Sequence, residues 1–336
     1  MSASGLSHPR PRVLVARRVF DEVIERLAQH FELRHNQADA LWSQDELIAQ
    51  LQGCDGAFVT GTEAVDARLL AACPRLSAVC SMAVGYNNID LAACSARGVL
   101  VSNAPGVLTE TTADFGFALM MAAARRIAES EHFLRAGKWT RWSHDMFAGA
   151  DVHGATLGVL GMGRIGQAIA RRGALGFGMP VIYHNRSRLD TGIEAALGAR
   201  WVAKDELLRQ SDHLVLVLPY SAQSHHAIGR AELALMKPSA TLINIARGGI
   251  VDDAALAQAL RERRIAAAGL DVFEGEPALH ADLLTLPNVV LTPHIASASL
   301  PTRLAMAQLA ADNLIAALGG GVPPTALNPQ VLGPRA

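Results

Sequence analysis

The stretch Leu157-Gly158-Val159-Leu160-Gly161-Met162-Gly163-Arg164-Ile165-Gly166 decides the fold. It reads as a short apolar strand, a G-x-G-x-x-G turn and the opening of a helix that continues over Gln167–Leu175. A bare glycine fingerprint says little. One set between a strand and a helix marks a dinucleotide-binding unit. Gly161 permits the tight turn, Gly163 lets the backbone approach a pyrophosphate, and Gly166 lets helix and strand pack closely. The helix start, with Met162, Arg164 and Ile165 around it, then offers unpaired N–H groups and positive potential to the phosphates.

On either side of this stretch, apolar runs alternate with helical patterns, the signature of parallel sheets covered by helices on both faces. Downstream the spacing predicts strands at Thr156–Leu160, Val181–His184, Leu214–Leu218, Thr241–Ile245, Ala267–Leu270 and Val289–Leu291. Upstream it predicts Val13–Ala16, Ala57–Thr60, Leu76–Ser81 and Val99–Ser102. Between these lie helices at Asp21–His30, Gln44–Leu51 and Ala64–Ala72, with Ser43 and Asp66 as N-caps. A helix over Thr109–Arg126 joins the two halves after the turn Asn103-Ala104-Pro105-Gly106, a candidate hinge. The tail after His294 is helical over Thr302–Leu318.

A length of 336 residues accommodates two domains, and with 50% apolar residues each can bury a core. The net charge of −1 leaves no basic excess for a nucleic-acid backbone. Met1–Arg12 is polar, carries Pro9 and Pro11, and reads as a disordered lead-in rather than a secretory signal. The run Phe115–Ala124 is too short to span a bilayer and reads as a buried helix, so no membrane association is expected. Four cysteines without a C-x-x-C pair read as reduced, mostly buried thiols of a cytoplasmic protein.

The strand after the glycine turn ends in His184-Asn185-Arg186-Ser187-Arg188. NAD-binding units place an acidic residue near Asn185 to hold the ribose hydroxyls. A carboxylate there would repel a 2′-phosphate, whereas asparagine does not. Arg186 and Arg188 would pair with that phosphate and Ser187 would donate to it. These residues point to NADPH, with NADH as the weaker alternative.

A dinucleotide unit of this kind serves hydride transfer; were the acceptor a 2-oxo acid, the site would need a grip on the carboxylate, a polarised carbonyl and a proton for the developing alkoxide. Arg247, in Asn244-Ile245-Ala246-Arg247-Gly248-Gly249, follows a strand and offers a guanidinium to carboxylate and carbonyl, while the two glycines allow close backbone approach. Of twelve histidines, His294, in Leu291-Thr292-Pro293-His294-Ile295, also follows a strand and suits a general acid. A carboxylate beside it would favour the imidazolium. The loop Asp271-Val272-Phe273-Glu274-Gly275-Glu276-Pro277 supplies three candidates, Asp271, Glu274 and Glu276, among which spacing does not choose.

Together with Val84-Gly85-Tyr86-Asn87-Asn88-Ile89-Asp90, Thr109-Glu110-Thr111-Thr112-Ala113-Asp114 and Thr292-Pro293-His294-Ile295-Ala296-Ser297-Ala298-Ser299, these motifs give a chain that resembles the D-2-hydroxyacid dehydrogenase family. Within it the resemblance is greatest to the branch reducing glyoxylate, hydroxypyruvate and 2-ketogluconate. It covers essentially everything after the first dozen residues.

The resemblance implies two Rossmann-like doubly wound parallel-sheet domains with a cleft between them. Residues 1–104 with 297–336 would form a flavodoxin-like substrate domain, and 105–296 the cofactor domain. It implies Arg247, Glu276 and His294 as the catalytic set. The substrate would be bound by Val84 and Gly85 amides, Arg247, Ser297 and a tryptophan, Trp142 or its neighbour Trp139, from the second subunit of a homodimer. Leu218, Pro219, Ser224, Ile245, Ala246, Arg247, Asp271 and His294 would line the cofactor. Two departures stand out: Ala296 replaces the usual glycine, and the acidic ribose-binding residue is absent. Phosphoglycerate, D-lactate, formate and phosphite dehydrogenases are the alternatives within the family. A dinucleotide-binding corepressor-like interaction module is the alternative outside catalysis.

Overall fold

A computed structural model describes residues 10–333. The chain divides into two compact units, Met1–Leu108 with Ser299–Ala336, and Thr109–Ala298. Each is built on a parallel sheet.

The first unit contains β1 (Arg12–Val15), β2 (Glu32–His35), β3 (Gly56–Val59), β4 (Ala78–Ser81) and β5 (Leu100–Ser102), in the order β2-β1-β3-β4-β5. All neighbours run parallel. β3 and β4 are buried along their whole length, as strands covered on both faces must be. The helix Gln44–Leu51 starts in a reciprocal cap between Ser43 and Glu46, and the helix Ala67–Ala72 at Asp66, whose carboxylate accepts the Leu69 N–H. The long helix Leu300–Leu318 belongs to this unit and packs on β3, where a Cβ on Gly56 would come within 2.8 Å of Leu318.

The second unit contains β6 (Leu157–Leu160), β7 (Val181–His184), β8 (Ala199–Trp201), β9 (His213–Leu216), β10 (Thr241–Asn244), β11 (Ala267–Leu270) and β12 (Val289–Leu291). Their order is β12-β11-β10-β9-β6-β7-β8, parallel throughout. The chain winds outward from β6 to β8, then returns to β9 and winds the other way. Such a reversal leaves a crevice at the carboxyl ends of the strands, here β6 and β9, where open α/β sheets bind ligands. The helix Thr109–Ala124 covers one face, burying Phe117, Leu119 and Met120, with Gly116 seated against Ile245.

Several expectations shift for local physical reasons. β2 (ELRH) and β8 (ARW) are short, largely exposed sheet-edge strands with no apolar run to announce them. The helix expected to reach Arg126 ends at Ala124, because Arg126 takes a left-handed φ of 55° and a separate helix, Ile127–Arg135, begins. The helix after the glycine turn starts at Arg164 and loosens into a π turn over Arg172–Gly176. The lead-in assigned to Met1–Arg12 lies outside the described residues as far as Pro9, and Arg12 already pairs in β1. All four cysteines are free and buried. Among the described residues no helix is long and apolar enough to cross a membrane.

Gly158 tests this packing. A Cβ there would lie 1.9 Å from the Ser211 hydroxyl, itself buried and bonded to the Leu207 carbonyl. Gly158→Ala is expected to lower stability by about 1–3 kcal/mol through overpacking. A urea midpoint unchanged from wild type would refute this.

Candidate active site

The glycine turn joins β6 to the helix Arg164–Arg171. Gly161 has φ 103°, and a Cβ on it would strike the Leu218 nitrogen at 2.7 Å. A Cβ on Gly166 would lie 2.4 Å from the Gly161 carbonyl. Nothing lies within 4 Å of the corresponding point on Gly163, so its backbone is open to a ligand. Gln167 is the first residue of the helix to return its amide to a preceding carbonyl, that of Gly163. The amides of Arg164 and Ile165 have no partner among the described residues. Open backbone, free amides and a helix N-terminus fit a dinucleotide pyrophosphate.

The Asn185 side chain turns inward, its Oδ1 accepting the Met162 N–H at 2.7 Å, and so splints the glycine turn. Arg186 and Ser187 are exposed. Arg188 is bound to Glu194 through its Nε and Nη2, so the two arginines are not equivalent. Leu218 and Pro219 follow β9 beside Gly161, and the Ser224 hydroxyl donates to the Pro219 carbonyl at 3.0 Å, closing that loop. Ile245 and Ala246 follow β10 and are buried.

Arg247 sits on the next bend. Asn244 shapes it, accepting the Ala246 N–H at 3.1 Å and donating to the Arg247 carbonyl at 3.3 Å. The guanidinium donates to the Ala246 carbonyl at 2.7 Å, and its other donors have no partner among the described residues. Burial lowers it from the ordinary arginine value, against the attraction of Glu276, and arginine keeps its charge regardless.

Glu276 and His294 form the core of the site. Glu276 Oε1 accepts the Phe273 N–H at 2.8 Å and Oε2 accepts from His294 Nδ1 at 2.8 Å. Burial alone would raise this carboxyl, but the bonds from His294 and Phe273 outweigh it and hold it below the ordinary range. With Nδ1 committed, the proton or lone pair on Nε2 is available for chemistry.

His294 itself has a left-handed φ of 54°. Asp271 enforces that turn. Its backbone carbonyl accepts the His294 N–H, Oδ1 accepts from Ile295 N and the Thr292 hydroxyl, and Oδ2 accepts from Ala296 N. The Asp271 side chain is wholly buried, and desolvation raises its carboxyl despite these donors. Three candidate carboxylates are thereby separated. Asp271 holds backbone, Glu276 holds His294, and Glu274 pairs with His226 at 2.9 Å.

In the first unit, Val84 and Gly85 follow β4, and their amides have no partner among the described residues. Ser297 is half-buried in the second unit, and Trp142 is 76% exposed there. Sequence reasoning missed Asn244, which shapes the Arg247 bend, and Glu194, which binds Arg188. Asn244 ends a strand next to Arg247, a place where a polar side chain has a job. Glu194 carried no comparable signal, because it lies in an ordinary helix.

Fold and site thus define an oxidoreductase of CH–OH groups that uses a nicotinamide dinucleotide. Residues 117–296 match the family model described as D-isomer specific 2-hydroxyacid dehydrogenase, NAD binding domain, and the chain belongs to this family. It is 46% identical over 330 residues to a glyoxylate reductase of Thermococcus onnurineus, covering 97% of this chain and 98% of that protein. It resembles the crystal structure of an NADPH-dependent glyoxylate/hydroxypyruvate reductase from Sinorhizobium meliloti in complex with NADP and malonate, at TM-score 0.83 and 37% identity, covering 97% and 99% of the two chains. A glyoxylate reductase from Paecilomyes thermophila matches at TM-score 0.86 and 32% identity, over 96% and 100%.

Gly248 sets the spacing of the site. A Cβ on it would lie 1.7 Å from the Phe273 carbonyl, a backbone atom that cannot yield without moving the Glu276 loop. Gly248→Ala is expected to lower kcat/KM by roughly a hundredfold or more, as displacements of an ångström do, while far-UV circular dichroism stays native. Activity near wild type would show that this approach does not matter.

Proposed function

We propose that this enzyme reduces small 2-oxo acids, with glyoxylate, hydroxypyruvate and 2-ketogluconate as the substrate set, to D-2-hydroxy acids, and prefers NADPH. The observation that carries the chemistry is the His294–Glu276 pair at 2.8 Å with Arg247 within its electrostatic reach. When bound, the nicotinamide supplies the hydride. Arg247 grips carboxylate and carbonyl oxygens with the donors it does not give to Ala246. Val84 and Gly85 present their free amides to the carboxylate, and Ser297 serves the same substrate. His294 gives its Nε2 proton to the developing alkoxide, and Glu276 orients the ring through Nδ1.

The cofactor rests on Gly161–Gly166, with Leu218, Pro219, Ser224, Ile245, Ala246 and Asp271 in supporting places. Preference for NADPH is supported by the absence of an acidic side chain at Asn185, by exposed Arg186 and Ser187, and by the NADP named with the Sinorhizobium meliloti structure. The glyoxylate reductase names of the relatives support the substrate class.

We also propose a cytoplasmic homodimer. The helix Ile127–Arg135 buries no residue, and after it Trp139 and Trp142 stand 55% and 76% exposed. A patch of this kind marks an interface, and Trp142 would border the partner's substrate pocket. Four free thiols suit a reducing compartment.

His294→Ala is expected to lower kcat with glyoxylate by roughly a hundredfold or more, while the Kd for NADPH stays within twofold; near-normal turnover would remove His294 from its role. Wild-type kcat/KM should be higher with NADPH than with NADH, and a preference for NADH would refute the cofactor assignment. Light scattering should give twice the monomer mass, against which a monomer would count.

A further inference from the structure

The loop after β7 carries two arginines in opposite situations. Arg186 is exposed, with no hydrogen bond or ion pair among the described residues. Arg188 is fastened to Glu194 by Nε at 2.9 and 3.0 Å and by Nη2 at 2.6 Å. The Glu194 side chain is only 7% exposed, against 61% for Arg188, so the loop's charge is answered from beneath.

Glu194 is itself fixed. Its Oε1 also accepts the hydroxyl of Tyr183, a fully buried side chain of β7, at 2.7 Å. The same hydroxyl accepts the Leu189 N–H at 2.7 Å, so one phenol clips both the carboxylate and the backbone just beyond Arg188. Arg188 and then Tyr183 hold the Glu194 carboxyl below its ordinary range, so it is charged at neutral pH. An ionised carboxylate under an anion-binding loop cancels one arginine and repels a phosphate.

We propose that Glu194 sets cofactor selectivity as a positioning residue: it neutralises Arg188 and fixes the loop, so that Arg186 alone supplies the cation that separates a 2′-phosphorylated from an unphosphorylated dinucleotide. This rests on the NADPH preference proposed above. The arrangement gives moderate rather than maximal discrimination. Releasing Arg188 from its carboxylate would add a second cation to the same loop.

The test is calorimetric binding of NADP+ and NAD+, without substrate, to the full-length wild type and to Arg186→Gln, Glu194→Gln and the double variant Arg188→Gln with Glu194→Gln. Glutamine at 194 keeps an acceptor for Arg188 and Tyr183 and removes only the charge. Arg186→Gln should weaken NADP+ about tenfold and leave NAD+ within twofold. The double variant, which removes the neutral pair whole, should leave the ratio of the two Kd values within twofold. Glu194→Gln should tighten NADP+ roughly three- to tenfold with NAD+ unchanged, and the gain should fade at high salt, which loss of a purely structural contact would not produce.

The proposal is overturned if the double variant erases discrimination as strongly as Arg186→Gln, or if Glu194→Gln leaves the ratio unchanged or lowers it while wild type still prefers NADP+. A wild type that binds NAD+ more tightly overturns the NADPH assignment and this proposal with it. Should neither Glu194 variant fold, Arg186→Gln still decides: an NADP+ Kd within twofold of wild type overturns the proposal.

Discussion

One buried carboxylate organises the loops of the candidate site. Asp271, at the end of β11, accepts three donors from the loop that follows β12 on its carboxylate and a fourth, the His294 N–H, on its own carbonyl. Removing a carboxylate from water is unfavourable, and only several well-placed donors offset it. That requirement leaves the backbone from Thr292 to Ala296 little choice of path. His294 is therefore held in a conformation that a non-glycine residue seldom adopts unaided. Glu276, from the loop that Asp271 opens, then reaches His294. A structural anchor and the carboxylate partner of His294 thus arise from one strand end, five residues apart.

The neighbouring strand ends depend on a second constraint, the near contact of backbones. Gly248 lies against the Phe273 carbonyl, Gly161 against Leu218 and Gly166 against Gly161. A methyl group at any of these points would drive the facing backbones apart. The guanidinium of Arg247 and the pair Glu276–His294 belong to loops separated by such a contact, so their mutual distance is set by the absence of side chains. The same economy leaves the amides of Arg164 and Ile165 exposed to a ligand. Packing in the sheet and placement of the reacting groups are one problem with one solution.

Much of this is legible in the sequence. The strands β6, β7 and β10 to β12 announce themselves as apolar runs, and the glycine turn and Arg247 follow from their place at strand ends. The caps at Ser43 and Asp66 were equally plain. Edge strands β2 and β8 were not, because an edge exposed to water needs no apolar run. The choice among Asp271, Glu274 and Glu276 was open from spacing and came from family resemblance alone; it became geometric only when the loop folded back on His294 and His226. Arg186 and Arg188 looked alike in sequence. They diverge because a helix brings Glu194 under one of them, and such a pairing has no local signature.

A double-mutant cycle between Asp271→Asn and His294→Ala, read as kcat/KM for 2-oxo acid reduction, tests most directly whether Asp271 acts by holding His294. If it does, Asp271→Asn lowers the rate in an otherwise intact enzyme but adds almost nothing once His294 is gone. Losses that multiply in the double variant would mean that the buried carboxylate serves catalysis by some route other than the histidine, contradicting the account.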